Sequence, residues 1–344
     1  MFNVLFDLWQ MHSMSSIREK NQTIITHFVL LGFSDLQDLQ IFIFLIFLSI
    51  YLATMAGNIL IVVLVISDQH LHTPMYFFVG NLSCLETCYS STILPRMLAS
   101  LLSGDRTISA KGCMLQFWLF GFLAATECYL LAVMSYDRYL AVCKPLHYTA
   151  LMDNRLCVQL VLVSLLSGLL VVTTITLTMA QFSFCAPYEI DHFFCDFMPL
   201  IQHLCSGAHF LLLSSFITTS VFTFPPFLLT IASYIYIITA ILRIPSATGR
   251  KKAFSTCSSH LSVVTIFYGA LIVVYMFPNT DTLSRMNKVF SLFYTVFTPL
   301  ANPLIYSLRN KEVSKSLKRA IDKCVHFAKM PKDVLCTAFF GTSF

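Results

Sequence analysis

Charge is what this sequence has least of. Only 11% of its 344 residues are Asp, Glu, Lys or Arg, while 57% are hydrophobic; a soluble globular domain averages about a quarter charged residues. Lipid is therefore the expected solvent. The formal net charge of +5 is too small, and too concentrated in short loops, for a nucleic-acid partner, which needs a basic face on a soluble module. Histidine is scarce where a membrane hydrolase would need metal ligands: His260 alone stands near a hydrophobic run, and at its end, so no enzyme is expected. No internal repeat with matching broken helices, and no ring of pore charges, points to a transporter or channel. Residues 1–27 carry Asp7 before any basic residue and lack an apolar run closed by small residues, so the first hydrophobic span is expected to act as its own signal.

What is present is a series of seven runs long enough to cross a bilayer, which takes about 20 residues. They are Leu39 to Ser67, Pro74 to Leu94 with a single Glu86, Gly112 to Tyr136 with a single Glu127, Leu156 to Ala180, the later part of Phe197 to Leu242, Ala253 to Pro278, and Val289 to Leu308. The expected fold is an all-α membrane protein, a seven-transmembrane helix bundle. Prolines inside the runs are no objection, because neighbouring helices can satisfy the backbone groups that a kink releases. Beyond the last run, Val313, Leu317, Ile321 and Cys324 recur at three- and four-residue spacing among Lys311, Lys315, Lys318 and Arg319. That pattern predicts a short amphipathic cytoplasmic helix lying at the membrane interface.

Basic residues give the orientation. The N-terminus and the loops after spans two, four and six hold Arg18, Lys20, Arg96, Arg106, Lys111, Arg285 and Lys288; the other fifteen of the 22 Lys and Arg lie on the opposite side. The chain is thus expected to divide into an extracellular N-terminus over 1–38, a seven-transmembrane domain over 39–308 and a cytoplasmic tail over 309–344. The sequon at Asn21 is the one on the outer side, so Asn21 is the expected glycan site. Of twelve cysteines, Cys113, Cys185, Cys195 and Cys205 face the outer, oxidising side, which predicts two disulfides; three pairings are open. The other eight read as buried small hydrophobes or reduced thiols.

Several motifs stand in order along these spans. Gly57-Asn58 lies in span one, Pro74-Met75-Tyr76-Phe77-Phe78 and Asn81-Leu82-Ser83 in span two, and Met134-Ser135-Tyr136-Asp137-Arg138-Tyr139 at the end of span three. Lys252-Ala253-Phe254-Ser255-Thr256-Cys257-Ser258-Ser259-His260-Leu261 opens span six, and Asn302-Pro303-Leu304-Ile305-Tyr306-Ser307-Leu308-Arg309-Asn310 closes span seven. From about Phe28 to Arg319 the chain resembles the tetrapod-type (class II) odorant receptors, a group of rhodopsin-like G-protein-coupled receptors. His192-Phe193-Phe194-Cys195-Asp196, with Cys185 and Cys205, is similar to that group's long outer loop. Met14 is an alternative start, since the resemblance begins only after it. Ser135, Ala301 and Glu86 depart from the usual pattern, and Glu86 alone, standing where Asp is common, bears on mechanism.

The resemblance implies disulfides Cys113–Cys195 and Cys185–Cys205, a heterotrimeric stimulatory olfactory-type G protein as partner, and a plasma-membrane location in the cilia of olfactory sensory neurons. Asp137, Arg138, Tyr139, Tyr234, Asn302, Pro303 and Tyr306 would then form the switch and coupling surface. A metal at His192, Cys195 and Asp196 is disfavoured, because a disulfide consumes the thiolate. Glu127 lies about 16 Å from Arg138 along its helix and Glu86 about 18 Å from Pro74, at similar depth. Two intramembrane carboxylates either share a proton or bind a cation; by resemblance, a sodium ion would sit among Glu86, Glu127, Asn58 and Asn302. Neutral carboxylic acids hydrogen-bonded to neighbouring helices are the competing reading. The expected pocket gathers Phe117, Gly121, Ala124, Ala125 and Cys128 of span three, Thr218 and Phe222 of span five, Tyr268, Ile272 and Tyr275 of span six, and Thr295 of span seven. No Asp on span three faces this region and no Lys interrupts span seven, so amine pairing and retinal attachment lack their residue. A small, mostly apolar, volatile odorant is the expected ligand.

Overall fold

A computed structural model describes residues 25–185, 187–276, 288–309 and 311–328. Asn21 lies outside the described residues, as do the side chains of Ile272, Tyr275, Tyr306 and Cys324. The chain enters through a strand, β1 (His27–Leu30), and a 3-10 turn (Ser34–Leu39), then folds into α1 (Gln40–Ser67) and α2 (Pro74–Ser103). A second strand, β2 (Thr107–Ser109), leads into α3 (Ala110–Cys143), the short α4 (Pro145–Leu151) and α5 (Asn154–Met179). After β3 (Glu189–Ile190) come α6 (Phe197–Ile201), α7 (Ala208–Leu242) and α8 (Ala247–Met276); then residues 288–292 wind into a π turn (Phe293–Phe297), α9 (Thr298–Arg309) and α10 (Lys311–Ala328).

Local chemistry sets the boundaries. Pro74 opens α2, where its missing N–H costs nothing, and Gly104 ends it at φ 74°. The Ser109 hydroxyl accepts the Gly112 N–H at 3.1 Å and the Asp153 carboxylate accepts the Leu156 N–H at 2.8 Å, capping α3 and α5. Among the described residues α1, α3, α5 and α7 are long and apolar enough to cross a membrane, with a shorter apolar stretch, His260–Leu271, inside α8. The other runs are diluted: α2 carries Asn81, Ser83, Glu86, Thr87 and Ser90, and α8 opens on Arg250, Lys251 and Lys252. α3 is the central element, packed on α2, α5, α7 and α8. Close approach depends on missing side chains: a Cβ on Gly168 of α5 would meet the Thr126 hydroxyl of α3 at 2.5 Å, and one on Gly57 of α1 would meet Pro303 of α9 at 3.1 Å.

The all-α expectation missed a small three-stranded sheet. β1 lies in its middle, antiparallel to β2 with Phe28 opposite Ile108, and parallel to β3 with Val29 opposite Glu189. A run of four residues is too short to register against seven helical spans, although Phe and Val favour strand. Phe28 drives the pairing by filling a core with Cys113, Phe184, Ile190 and Cys195.

Two irregularities interrupt the helices. Pro225 and Pro226 stand inside α7, so the carbonyl of Phe222, four residues before Pro226, loses its helical donor. Tyr129 of α3 supplies another, its hydroxyl donating to that carbonyl at 2.6 Å. The π turn is likewise closed from i to i+5, the Thr298 N–H and hydroxyl both donating to the Phe293 carbonyl, the hydroxyl at 2.9 Å.

Candidate functional site

The end of the bundle that carries the sheet is stapled. The structure bonds Cys113, at the start of α3, to Cys195 and bonds Cys185 to Cys205. The loop so anchored is buried rather than splayed: Phe193, Phe194, Cys195 and Asp196 are nearly inaccessible. Gln116 of α3 accepts the Cys195 N–H at 3.1 Å, and the Tyr294 hydroxyl donates to Asp196 at 3.2 Å. His192 stacks on Phe193 and its Nε2 meets the Ser291 hydroxyl at 3.3 Å. Burial, with Lys288 nearby, pushes the His192 imidazole down to about 3, so the ring is neutral at physiological pH.

Below this cap the expected pocket residues divide by depth. Phe117 stacks on Phe197 at 6.1 Å, and Ala124 packs in an aromatic cluster with Tyr89, Phe120, Phe194 and Tyr294. Ala125 and Thr218 are half-buried. Cys128 sits deeper, its carbonyl accepting the Tyr268 hydroxyl at 3.1 Å. Thr295 is buried, its hydroxyl donating to the Ser291 carbonyl at 2.6 Å. Gly121 abuts α5, where an added Cβ would meet Val172 at 3.0 Å, and the Phe222 carbonyl is bound by Tyr129. The Tyr129 role was not foreseen, yet the Pro225-Pro226 pair that creates it was readable.

At the middle of the bundle lies a layer rich in acceptors. Glu86 and Glu127 are both fully inaccessible. The Asn302 amide donates to Glu86, Asn58 also lies against it, and Glu127 is within electrostatic reach. Asn58 further donates to the carbonyls of Thr54 at 3.2 Å and Pro299 at 3.1 Å. With both amides so engaged, Glu86 Oε2, both Glu127 carboxylate oxygens, Asn58 Oδ1 and Asn302 Oδ1 are buried without a hydrogen-bond partner. Buried polar atoms normally find partners, and an oxygen-only set carrying two carboxylates suits a hard cation or protons. No group of three or more His, Cys, Asp or Glu suited to a metal occurs among the described residues, because this layer mixes carboxylates with amides.

The opposite end is held by a few polar contacts and by the docking of α10. Asp137 is nearly inaccessible and accepts the Tyr148 hydroxyl, from α4, at 2.8 Å. Among the described residues Arg138 makes no ion pair, and Tyr139 packs on Tyr236 of α7 at 5.7 Å. The Tyr234 hydroxyl meets His260 Nδ1 at 2.6 Å, tying α7 to α8. Pro303, beside Asn302, is buried against Gly57. α10 docks by burying Val313 against Leu64, Leu71 and Tyr76, while Arg319 pairs with Asp68 at 2.6 Å. The Ser316 hydroxyl, Arg319 and His70 beside Asp68 hold its carboxyl well below the usual carboxylate range. Neither Tyr148 nor the Asp68 contact carried a sequence signal, since each depends on a loop folding back.

Comparison with known proteins is consistent along the chain. A family model described as olfactory receptor matches residues 47–323. Human olfactory receptor 11A1 is 47% identical over 308 residues, covering 90% of this chain and 97% of that receptor. Human olfactory receptor 10C1 is 48% identical over 305 residues, covering 89% and 98%, and mouse olfactory receptor 5G9 is 45% identical over 311 residues, covering 90% and 99%. With its signature motifs set on the buried layer and helix ends just described, and identity running almost end to end, the chain belongs to the olfactory receptor family.

Proposed function

We propose that the chain is an odorant receptor whose seven spans cross the plasma membrane with the stapled end outside, and whose opposite end activates a stimulatory olfactory-type G protein, raising cyclic AMP. Membership of a receptor family makes it a multi-pass membrane protein and not an enzyme. In this reading residues 1–38 are extracellular with a glycan on Asn21, residues 39–308 form the receptor domain, and residues 309–344 form the cytoplasmic tail, with α10 lying at the inner lipid surface. The cell-surface site of action is the cilium of the olfactory sensory neuron.

The observation that carries the reading is the asymmetry of the ends. Covalent staples and a sheet hold one end rigid, and in this reading a small volatile ligand enters from that side, beneath Phe194 and among Phe117, Ala124 and Tyr268. The contacts at the other end, Tyr148 to Asp137 and Tyr234 to His260, are single hydrogen bonds that a helix shift can exchange. A ligand wedged between α3, α7 and α8 need only bias that exchange, leaving Arg138 free to meet the G protein.

The buried layer fits a sodium ion held by Glu86, Glu127, Asn58 and Asn302, because the unpartnered oxygens are acceptors that a cation would satisfy. Such an ion would supply positive charge between two carboxylates and tie α1, α2, α3 and α9 into one arrangement.

The test is cyclic AMP in cells co-expressing the chain and the olfactory-type G protein, challenged with a panel of volatile compounds. A dose-dependent response that Arg138→Ala abolishes, with surface expression retained, is expected. An undiminished response in that variant would overturn the mechanism. Substitutions at Tyr268 or Ala124 should instead shift the half-maximal concentration.

A further inference from the structure

Most helical hydroxyls in this bundle are returned to their own backbone. Thr87, Ser91, Thr92, Thr126, Ser135 and Ser164 each donate to the carbonyl four residues earlier, at 2.7 to 2.9 Å. That back-bond is always within reach of Ser and Thr in a helix. Thr54 of α1 and Ser90 of α2 do not use it. The two residues are 0% and 1% exposed, and their buried hydroxyls have no partner.

Their position is not arbitrary. Thr54 stands four residues before Asn58, and Ser90 four residues after Glu86, so on these antiparallel helices each is one turn nearer the stapled end than the acceptor layer. The pairing of α1 with α2 puts them at one level. Asn58 lies against Glu86, and just beyond, Ser91 meets Tyr51 at 3.2 Å and Met55 at 3.7 Å. Two neutral, unengaged hydroxyls therefore stand one helical turn from Asn58 and Glu86, in a region where Glu86 Oε2 and both Glu127 oxygens are also unengaged.

We propose that Thr54 and Ser90 form an outer step of the cation site, a pair of hydroxyl ligands that takes a partly hydrated monovalent cation beside the Glu86–Glu127 layer. The inference rests on the sodium reading of that layer and assigns it two ligands beyond Glu86, Glu127, Asn58 and Asn302. Hydroxyl lone pairs replace water around an alkali ion without adding charge. The carboxylates hold the ion, and the hydroxyls ease the loss of its hydration shell. An unengaged hydroxyl can turn its lone pairs to the ion and its proton to a neighbouring carboxylate oxygen or a water of the ion's shell.

The test uses the purified full chain in lipid nanodiscs, its unfolding midpoint followed against sodium chloride with choline chloride replacing it at constant ionic strength. Wild type should gain stability as sodium rises. Thr54→Val and Ser90→Ala should each need about fivefold more sodium for half the gain, yet match or exceed wild type in choline, where the hydroxyls have no ligand. Thr54→Ser should restore the wild-type midpoint. Unchanged sodium dependence in Thr54→Val and Ser90→Ala, with Glu86→Gln unresponsive, would overturn the outer step while leaving the layer intact. A wild type indifferent to sodium would overturn the layer and the step together. Equal destabilisation of both variants in sodium and choline would also overturn it, as the mark of a packing role.

Discussion

At one end of the bundle two disulfides, a three-stranded sheet and a loop buried on aromatic rings act together, while at the other Asp137, Tyr234 and Asp68 each depend on a hydrogen bond or ion pair from one neighbouring element. Bonds of the first kind do not exchange on the time scale of signalling; those of the second do. The difference teaches where motion can be sought: a stimulus received at the fixed end has its cheapest response at the far one.

The comparison breaks most severely if the staple is cut. Cys113 and Cys195 close a loop across 82 residues, and loss of such a bridge typically costs about 2–5 kcal/mol. Cys113→Ser should therefore abolish surface delivery, as read by antibody staining of intact cells. Full surface expression would show that the sheet and aromatic packing suffice without it.

Acid should soften the same end more gently. The folded state holds the His192 ring down to about 3 against an ordinary value near 6.5, so the unfolded chain binds more protons between those values. Its contribution is complete above 6.5 and drains away as pH falls toward 3, by at most about 1.4 kcal/mol per pH unit. Unfolding midpoints should fall on acidification from pH 6.5, and His192→Gln should flatten that slope. The Asp68 cluster at the other end works in the same sense, but at lower pH. Its depressed carboxylate contributes in full above the ordinary carboxylate range and loses that contribution as the pH falls through it, so it adds to this slope only at the acid end.

Smaller still is Tyr148→Phe, which removes one hydrogen bond, about 1 kcal/mol, from the buried Asp137. Surface expression should survive while cyclic AMP without odorant rises; an unchanged basal level would mean that the Tyr148 contact does not restrain the switch. Arg319→Ala should do least. Asp68 is partly open to solvent, and Val313 still anchors α10. Faster hydrogen exchange over residues 311–320 with an unmoved unfolding midpoint is the expected result.

Helix content and motif order were legible because hydrophobic runs and spaced signatures are local facts. Glu86 and Glu127 could be set at one depth from helix rise alone, since depth along a straight helix follows from counting, while Asn58 and Asn302 joined them only through the family resemblance. What stayed hidden depends on return of the chain. β1 finds its partners across 78 and 160 residues, from Val29 to Thr107 and Glu189. Tyr148 reaches Asp137 only because α4 turns back beneath α3. The residues expected in the pocket separate for a related reason. Helical spacing puts Gly121 with Ala124 and Cys128, but which neighbour each one meets is set by tilt, and α5 claims Gly121.

The π turn at Phe293–Phe297 holds one residue more than an α-helical turn can seat. It works as a spare tooth in a gear. Were that residue passed out and the turn rewound as α-helix, everything beyond it would rotate by about 100° about the helix axis. Asn302 would swing off Glu86, and Pro303 would leave the notch at Gly57. A small change of winding close beneath the disulfide-bonded loop, where Thr295 and Tyr294 sit, would thus be felt as a turn of the shaft at the far end of the bundle.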